Sequence, residues 1–272
     1  MRLKEFFYLL GLKPGARVYG HRIQVIDLPR DGRVEYARWL APNARDLSLQ
    51  QAELDDLRKF LHEGDLAIDI GAAVGDSTLP IALACGRSGA VIAFEPNPFT
   101  FAILGANAAL NPGRTNIIPI PYAATDTDAS LVFDYGNPWF SNGGDHTGVS
   151  PWRHASTFHL PVEGRRVEPI VRARFGDRLA RLRYIKTDVE GHDLAALRSL
   201  EGLVREFRPY IKSEVGKFAP AEDRLAMHRL LTGYRYTIRR PENGTLFGPV
   251  LAEGDLLKST RSFDIFAVPQ AG

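Results

Sequence analysis

The chain has 272 residues, of which 44% are apolar and 24% are charged, as is ordinary for a globular protein with a large core. Its 34 Lys and Arg residues nearly balance its 32 Asp and Glu residues, and this net charge of +2 argues against a general nucleic-acid binder. The single cysteine, Cys85, excludes an intrachain disulfide and a cysteine-rich metal site.

Residues 1–60 predict an accessory segment ahead of the main sheet. The pattern favours a short helix at 3–11, a hairpin with strands at 16–26 and 33–40, and a helix at 53–61. The apolar run at the start is too short to span a bilayer and has no small-residue cleavage site after it. We therefore expect a cytoplasmic protein without stable membrane insertion, with peripheral membrane contact through this run as the alternative.

Residues 61–272 predict one α/β domain, because strand and helix patterns alternate and indicate βαβ units around a parallel sheet. Strands are predicted at 66–70, 90–94, 116–122, 130–135, 162–171, 183–187 and 209–214. Helices are predicted at 77–86, 98–110, 177–182, 194–203 and 221–232. Segments at 236–238, 248–251 and 263–268 suit a closing antiparallel edge. The aromatic, glycine-rich stretch 136–160 lacks periodicity, which is typical of a functional lid or of disorder.

The stretch 66–78 has the pattern of a buried strand, a glycine turn and a helix start. Gly71 and Gly75 allow backbone conformations that a Cβ would obstruct. Asp76 or Ser77 can cap the following helix through a side-chain oxygen. In open α/β sheets such a turn holds a nucleotide-like ligand outside the carboxyl ends of the strands.

The glycine turn distinguishes between two adenosyl ligands. A pyrophosphate loop needs the pattern G-x-G-x-x-G, but Ala73 replaces the second glycine and Asp76 replaces the third. An anion at position 76 suits a ligand with a cationic amine and no phosphate, so S-adenosylmethionine (SAM) is favoured over NAD. Glu95 ends the next strand, where a carboxylate can accept hydrogen bonds from two ribose hydroxyls.

Three motifs, at 69–76, 93–97 and 186–191, resemble in order and spacing those of FkbM-type SAM-dependent methyltransferases. The resemblance covers about residues 60–270. It implies a Rossmann-like α/β fold with a mostly parallel seven-stranded sheet, and O-methylation of a hydroxyl on a sugar or another natural product. The chain departs from the family pattern Asp-x-Glu-Gly-x-Glu at its last position, which is Asp193.

The resemblance also implies which positions bind the cofactor. They are Asp69, Gly71, Ala72, Gly75, Asp76, Ser77, Glu95, Pro96, Asn97, Ala123 and Asp188. For Asp69 the plainer alternative is a structural role, in which the carboxylate bonds nearby backbone amides and shapes the turn.

Two catalytic mechanisms are compatible with the residues at the strand ends. In the first, His192 or Asp188 is the general base that removes the proton of the acceptor hydroxyl. In the second, Asp188 and Glu214 help to bind Mg²⁺, which lowers the pKa of a coordinated hydroxyl. The metal-independent mechanism is favoured, because two carboxylates do not specify a metal site.

Candidate acceptor contacts are Trp139, Phe140, Asn142, Trp152 and Glu190. The aromatic rings suit a sugar-stacking surface, or they pin the insertion onto the domain, and Glu190 is equally suited to bonding the N–H groups of the next helix. Seven arginines between residues 165 and 183 could select an acidic acceptor, although a solvated basic face is the simpler interpretation.

We expect the acceptor to be a small molecule or glycan, above all a hydroxyl of a saccharide or glycoside. The alternatives are a polyketide or other small secondary metabolite and, less favoured, a nucleic-acid substrate or an inactive scaffold. We expect no nucleic-acid partner, because the chain shows no recognition module. A homo-oligomer is compatible with the sequence, which carries no signal for or against it.

Overall fold

The computed structural model describes residues 15–140, 143–144, 158–189, 191–217 and 219–270. Within these residues the chain forms a two-stranded hairpin, a seven-stranded central sheet and a four-stranded sheet. The helix predicted at 3–11 lies outside the described residues. Across the described part of the chain, no helix has the length and apolarity needed to cross a membrane.

Each strand predicted before residue 240 has an observed counterpart, although several bounds differ and only the first part of the strand predicted at 162–171 is confirmed. They are β1 His21–Leu28, β2 Gly32–Trp39, β3 Leu66–Ile70, β4 Ala90–Phe94, β5 Ile117–Ile120, β6 Ala123–Ala124, β7 Ala129–Tyr135, β8 Gly143–Gly144, β9 Phe158–Arg165, β10 Leu182–Thr187, β11 Tyr210–Val215, β12 Tyr236–Arg239 and β13 Phe263–Pro269.

The helices are mostly short. They are α1 Gln51–Leu57, α2 Thr78–Cys85, α3 Pro98–Ala109, α4 Val167–Phe175, α5 Asp193–Arg198, α6 Glu201–Phe207 and α7 Ala221–Gly233. Two 3₁₀ helices accompany them, at Gly176–Arg181 and Glu253–Leu257.

The central sheet has the strand order β12-β13-β11-β10-β3-β4-β5. Neighbouring strands from β11 to β5 are parallel, and β13 runs antiparallel to both β11 and β12. The predicted α/β fold with a mostly parallel sheet and an antiparallel closing edge is therefore confirmed. From β3 the chain builds the sheet outward through β4 and β5, and later from β10 in the other direction. This reversal opens a crevice at the carboxyl ends of β3 and β10.

The sheet separates two apolar cores, because successive side chains of a strand point to opposite faces. Leu66, Ile68 and Ile70 belong to the core that includes side chains of α4 to α7. Ala67 belongs to the core that includes side chains of α1 to α3. All five residues of β3 and all five of β4 are buried, which explains why these strands have nearly continuous apolar sequences.

The structure corrects the strand predicted at 162–171. Strand β9 ends at Arg165, and α4 begins at Val167. The buried residues of α4 are Val167, Val171 and Phe175, a four-residue spacing that belongs to one helix face. The β-branched valines of this segment favour a strand locally, but packing against the core decides in favour of the helix.

Three further predictions were wrong in extent. The helix predicted at 53–61 ends at Leu57, and the helix predicted at 194–203 is divided into α5 and α6. In the break, the Ser199 hydroxyl donates to the carbonyl of Ala196, a local bond that competes with the helix ladder. The segment 248–251 contributes a single antiparallel bridge from Val250 to Arg239 rather than a strand.

The predicted hairpin is confirmed as β1 and β2, which pair antiparallel along their whole length. Its side chains Ala37 and Trp39 pack against Ile103 of α3, so the hairpin lies against the central domain. The division of the chain into two units at residue 60 stays a prediction.

Candidate active site

A cavity of about 740 Å³ opens at the carboxyl ends of β3, β4 and β10, within the size range of small-molecule sites. Predicted residues that line it are Gly71, Asp76, Ser77, Glu95, Pro96, Asn97, Ala123, Phe140, Asp188 and His192. The crevice at the reversal of strand order thus brings the glycine turn, the end of β4 and the end of β10 together.

Gly71 is placed where no side chain can be accommodated. Its φ is +77°, and an added Cβ would lie 2.0 Å from the carbonyl oxygen of Asp188. The Gly71 amide donates to Phe94 O at 3.0 Å, and the Asp188 amide donates to Ile70 O at 3.0 Å. The turn is therefore wedged between the ends of β4 and β10, so that its backbone can face the cavity.

Asp69 supports the glycine turn from behind and does not line the cavity. Its fully buried carboxylate accepts hydrogen bonds from the hydroxyls of Ser77 at 3.0 Å and Thr78 at 2.7 Å. The arrangement fits the plainer alternative of a structural role, but the partners of Asp69 are these two hydroxyls and the ammonium of Lys186 rather than backbone amides. Of the two residues predicted to cap α2, Ser77 occupies the N-cap position but makes no side-chain cap bond, because its hydroxyl is directed to Asp69. The Asp76 carboxylate accepts the Ser77 amide at 3.0 Å.

Lys186 is a site residue that the sequence interpretation missed. It pairs in register with Asp69 on the neighbouring strand, and its Nζ lies 3.2 Å from Asp69 Oδ1 and 3.7 Å from Asp188 Oδ2. Burial lowers the pKa of this ammonium, but the two carboxylates outweigh burial and raise the pKa above its usual value. Lys186 therefore stays charged. The available signal in the sequence was the presence of two opposite charges, Asp69 and Lys186, within strands that were predicted to lie in the sheet.

Glu95 presents a nearly buried carboxylate to the cavity. One oxygen accepts the Ala73 amide at 2.8 Å and the other accepts the Asn97 amide at 2.8 Å. Burial raises the pKa of Glu95 to about 6, although these hydrogen bonds oppose the shift. Asn97 also caps α3, since its Oδ1 accepts the Phe99 amide at 2.9 Å. The end of β4 is therefore fixed before any ligand binds.

Asp76 lies on the cavity wall, next to the hairpin. Its side chain is accessible from the cavity, yet protein surrounds it closely, and this desolvation raises the pKa of its carboxyl. Tyr36 of β2 also lines the cavity, and its pKa is raised first by burial and then by the charge of Asp76. The hairpin thus reaches the glycine turn.

Ala72 and Gly75 lie behind the cavity wall rather than on it. Ala72 is fully buried, and Gly75 faces Leu104 of α3, whose Cδ1 would be 3.1 Å from an added Cβ. These two predicted cofactor positions support the turn through packing.

Of the predicted catalytic residues, Asp188 and His192 line the same cavity. His192 precedes α5 at its N-cap position. Glu214 instead lines a separate small cavity beside Asp193 and Arg224. The prediction that Glu214 joins Asp188 is corrected, because the two side chains line different cavities, although Lys212 of the same strand β11 lines the larger one.

The alternative mechanism, in which Asp188 and Glu214 help to bind Mg²⁺, gains no support from this arrangement, since the two carboxylates line different cavities. Among the residues described, no group of three or more His, Cys, Asp or Glu side chains is arranged to hold a metal ion.

The first aromatic residues of the stretch 136–160, Trp139 and Phe140, pack against the domain. Phe140 stacks on Phe99 with ring centroids 4.7 Å apart, and its carbonyl accepts from Asn97 Nδ2 at 2.7 Å. Trp139 contacts Tyr19 edge-on at 6.2 Å and does not line the cavity. Trp139 therefore fits the pinning role rather than a sugar-stacking surface. Phe140 is pinned as well, but it also lines the cavity, so its contact with an acceptor stays a prediction. The other acceptor candidates, Asn142, Trp152 and Glu190, lie outside the described residues.

The arginines between 165 and 183 do not line the cavity. Arg178 donates to Ser88 O at 2.7 Å, and Arg181 pairs with Asp65 at 3.1 Å. Both contacts precede β3 or β4, at the opposite edge of the sheet. Arg178 and Arg181 are therefore placed away from an acceptor in this cavity, whereas Arg165 lies 5.3 Å from the ring centroid of Tyr122, which lines it.

Part of the cavity wall comes from residues that no motif indicated. The hairpin and the loop after it contribute Tyr36, Trp39, Asn43, Ala44, Arg45, Asp46, Leu47 and Ser48, and the rest includes Tyr122, Tyr135 and Lys212. The loop carries no apolar periodicity, so local sequence gives no signal for its position.

The model of the FkbM methyltransferase domain matches residues 69–238, which is more than half of the chain. The chain belongs to the FkbM methyltransferase family. The resemblance based on the three motifs is therefore confirmed, and the matched segment contains the glycine turn, Glu95, Asp188 and His192. The hairpin and the loop at 43–48 precede the match.

One relative of this family member is the hexuronic acid methyltransferase AglP of Haloferax volcanii. The two are 28% identical over 162 residues, which make up 57% of this chain and 58% of AglP. The chain thus spans less than two thirds of that relative.

Two solved structures show a looser likeness. A methyltransferase FkbM from Methylobacillus flagellatus has a TM-score of 0.47 and 14% identity, over 75% of this chain and 43% of its own. Fibrillarin from Aeropyrum pernix, with natively bound SAM, has a TM-score of 0.41 and 13% identity, over 94% of this chain and all of its own. At such TM-scores the fold assignment rests on the strand order of this chain itself.

The geometry of the turn predicts that Gly71→Ala destabilises the protein. An added Cβ would clash with a backbone carbonyl, and alanine rarely adopts a positive φ. We therefore expect the free energy of unfolding to fall by about 2 kcal/mol or more. Urea unfolding of the variant and the wild type measures this. The control is Gly105→Ala in α3, where an added Cβ has no neighbour within 4 Å. Equal stability of Gly71→Ala and wild type would contradict the close approach to Asp188.

Proposed function

We propose that the protein is a SAM-dependent O-methyltransferase that acts on a hydroxyl of a saccharide or glycoside. The observation that carries the proposal is the Glu95 carboxylate, held by two backbone amides beside the glycine turn and facing the crevice. Membership of the family supports methyl transfer. The name of the relative AglP supports a sugar acceptor.

The charges of the cavity suit a cationic ligand. The carboxylates on its described wall are Asp46, Asp76, Glu95, Asp126 and Asp188, and the Lys and Arg cations there are Arg45, Lys186 and Lys212. SAM carries a sulfonium and an ammonium, so this excess of carboxylates favours its binding. A pyrophosphate would meet Asp76 at the glycine turn and be repelled.

The residues present fit SAM at three points. Glu95 would accept hydrogen bonds from the ribose hydroxyls, and Asp76 would attract the ammonium of the methionyl group. The backbone around Gly71 allows close approach, because no side chain intervenes there. When bound, SAM supplies an electrophilic methyl group on its sulfonium.

The acceptor hydroxyl must lose its proton as its oxygen gains the methyl group. Asp188 and His192 both line the cavity and are the candidates to take this proton. Lys186 is not a candidate, because its ammonium is held in the charged form by Asp69 and Asp188. Its role is to balance the negative charge beneath the reacting groups.

We predict that SAM binds and that Glu95→Ala weakens this binding about a hundredfold, since two hydrogen bonds to a charged acceptor are lost. Isothermal titration calorimetry measures both affinities, with NAD as the control ligand. The affinity of the wild type should fall as the pH drops from about 7 to about 5, because Glu95 then gains a proton and loses acceptor capacity. Glu95→Gln should reduce that pH dependence to the part that Asp76 contributes, since burial raises the pKa of that carboxyl as well. Saturable NAD binding without SAM binding would contradict the proposal.

The mechanism predicts that turnover persists in EDTA and depends on Asp188 or His192. We expect one of the variants Asp188→Asn and His192→Gln, the one that removes the base, to have a kcat lower by about a hundredfold or more. The measurement is the rate at saturating SAM, with calorimetry as the control for cofactor binding. Full activity of both variants, or loss of activity in EDTA with recovery in Mg²⁺, would contradict the metal-independent mechanism.

The acceptor class predicts where a labelled methyl group goes. With methyl-labelled SAM we expect label in a glycan pool, held as an ether that survives mild alkali. A methyl ester on a uronic acid carboxylate would be lost in alkali, so this treatment distinguishes hydroxyl from carboxylate transfer. Parallel pools of small metabolites and of RNA serve as controls. Label confined to RNA, or label that alkali releases, would contradict O-methylation of a sugar hydroxyl.

A further inference from the structure

Two asparagines of the α3 region hold the outer edge of β2. Asn111 Oδ1 accepts the Glu35 amide at 2.9 Å, and its Nδ2 donates to Glu35 O at 2.8 Å. Asn107 Oδ1 accepts the Ala37 amide at 2.6 Å, and its Nδ2 donates to Ala37 O at 3.2 Å. Each side-chain amide thus takes the place that a neighbouring strand would occupy.

Asn107 makes a further contact that Asn111 does not. Its Nδ2 also donates to the carbonyl of Val74 at 2.8 Å, and Val74 lies within the glycine turn. The Asn107 side chain is 1% exposed, so no water replaces these bonds without rearrangement. The next residue, Gly75, packs on the same side chain, because an added Cβ would lie 3.6 Å from Asn107 Cβ. One amide therefore connects β2, α3 and the glycine turn.

The glycine turn needs such support. Ala73 has a φ of +46°, in a region that residues with a Cβ rarely adopt, and such a conformation persists when its surroundings fix it. The Ala73 amide is bound by Glu95, which fixes one end of the segment. The Val74 carbonyl is bound by Asn107, which fixes the other end.

We propose that Asn107 is a positioning residue for SAM, and that the hairpin is thereby part of the cofactor site. By clamping Val74 to Ala37, Asn107 keeps the turn in the conformation that faces the cofactor. The hairpin lies outside the residues matched by the family model, yet its Tyr36 and Trp39 line the cavity next to the turn. This inference rests on the proposed binding of SAM.

The test compares Asn107→Ala with Asn111→Gly in the full chain. Both changes remove an amide that holds β2, and glycine suits position 111 because φ there is +54°. We expect Asn107→Ala to weaken SAM binding about tenfold by calorimetry, and Asn111→Gly to change it less than about twofold. The Asn107 variant should raise the KM for SAM, with kcat at saturating SAM retained. Amide hydrogen exchange at Val74 and Gly75 should quicken in that variant alone.

The outcomes separate the two proposals. A wild type that does not bind SAM overturns the proposed function and this inference together. A wild type that binds SAM, with an Asn107→Ala variant of equal affinity and equal exchange at Val74, overturns the inference alone. Equal weakening by Asn107→Ala and Asn111→Gly also overturns it, because loss of the hairpin contact would then suffice. If Asn107→Ala does not fold, Asn107→Ser, which removes less of the contact, is measured against the same expectations.

Discussion

The buried ion pair between Asp69 and Lys186 is the interaction on which the site depends. It joins the two central strands below the crevice, where neither charge reaches bulk water. Such a pair is tolerated when further bonds satisfy both partners, because desolvation otherwise exceeds the attraction between the charges. Asp69 also binds the hydroxyls of Ser77 and Thr78, and Lys186 also reaches Asp188. The pair thereby fixes the start of α2 and the end of β10 relative to each other.

The sequence predicts the centre of this arrangement well and its borders poorly. Strands β3 and β4 match their predicted bounds, because fully buried parallel strands have short apolar sequences that glycine and proline terminate. Glu95 is predictable for the same reason, since it directly follows β4. The 167–171 segment was assigned to a strand because its valines favour β-structure locally. The competing helical spacing of Val167, Val171 and Phe175 extends beyond that segment and depends on tertiary packing.

The cavity wall formed by the hairpin could not be predicted, because the contacts that place it are distant in sequence. Asn107 and Ala37 are 70 residues apart, and an asparagine within a helix has no local feature that predicts a partner strand. Glu214 is a residue for which the sequence predicted a site contact that the fold does not make. It lies at the predicted end of a strand as Asp188 follows one, so the two look equivalent in sequence, but the fold places them in different cavities. Lys212, two residues earlier on the same strand, does line the larger cavity, so neither residue type nor strand alone decides which carboxylate can meet a ligand.

The cavity therefore combines two kinds of wall. The glycine turn, Glu95 and Asp188 lie within the segment that matches the family, whereas the hairpin and the loop at 43–48 precede it. On the proposed function, the matched wall contacts the cofactor, the hairpin backbone supports that contact, and the hairpin side chains face the part of the cavity left for the acceptor. Because Asn107 joins the two walls through one amide, a change in the hairpin that suits a new acceptor must keep the Ala37 backbone in place. Backbone contacts allow this, since Asn107 binds the Ala37 amide and carbonyl and leaves the hairpin side chains unconstrained by those bonds.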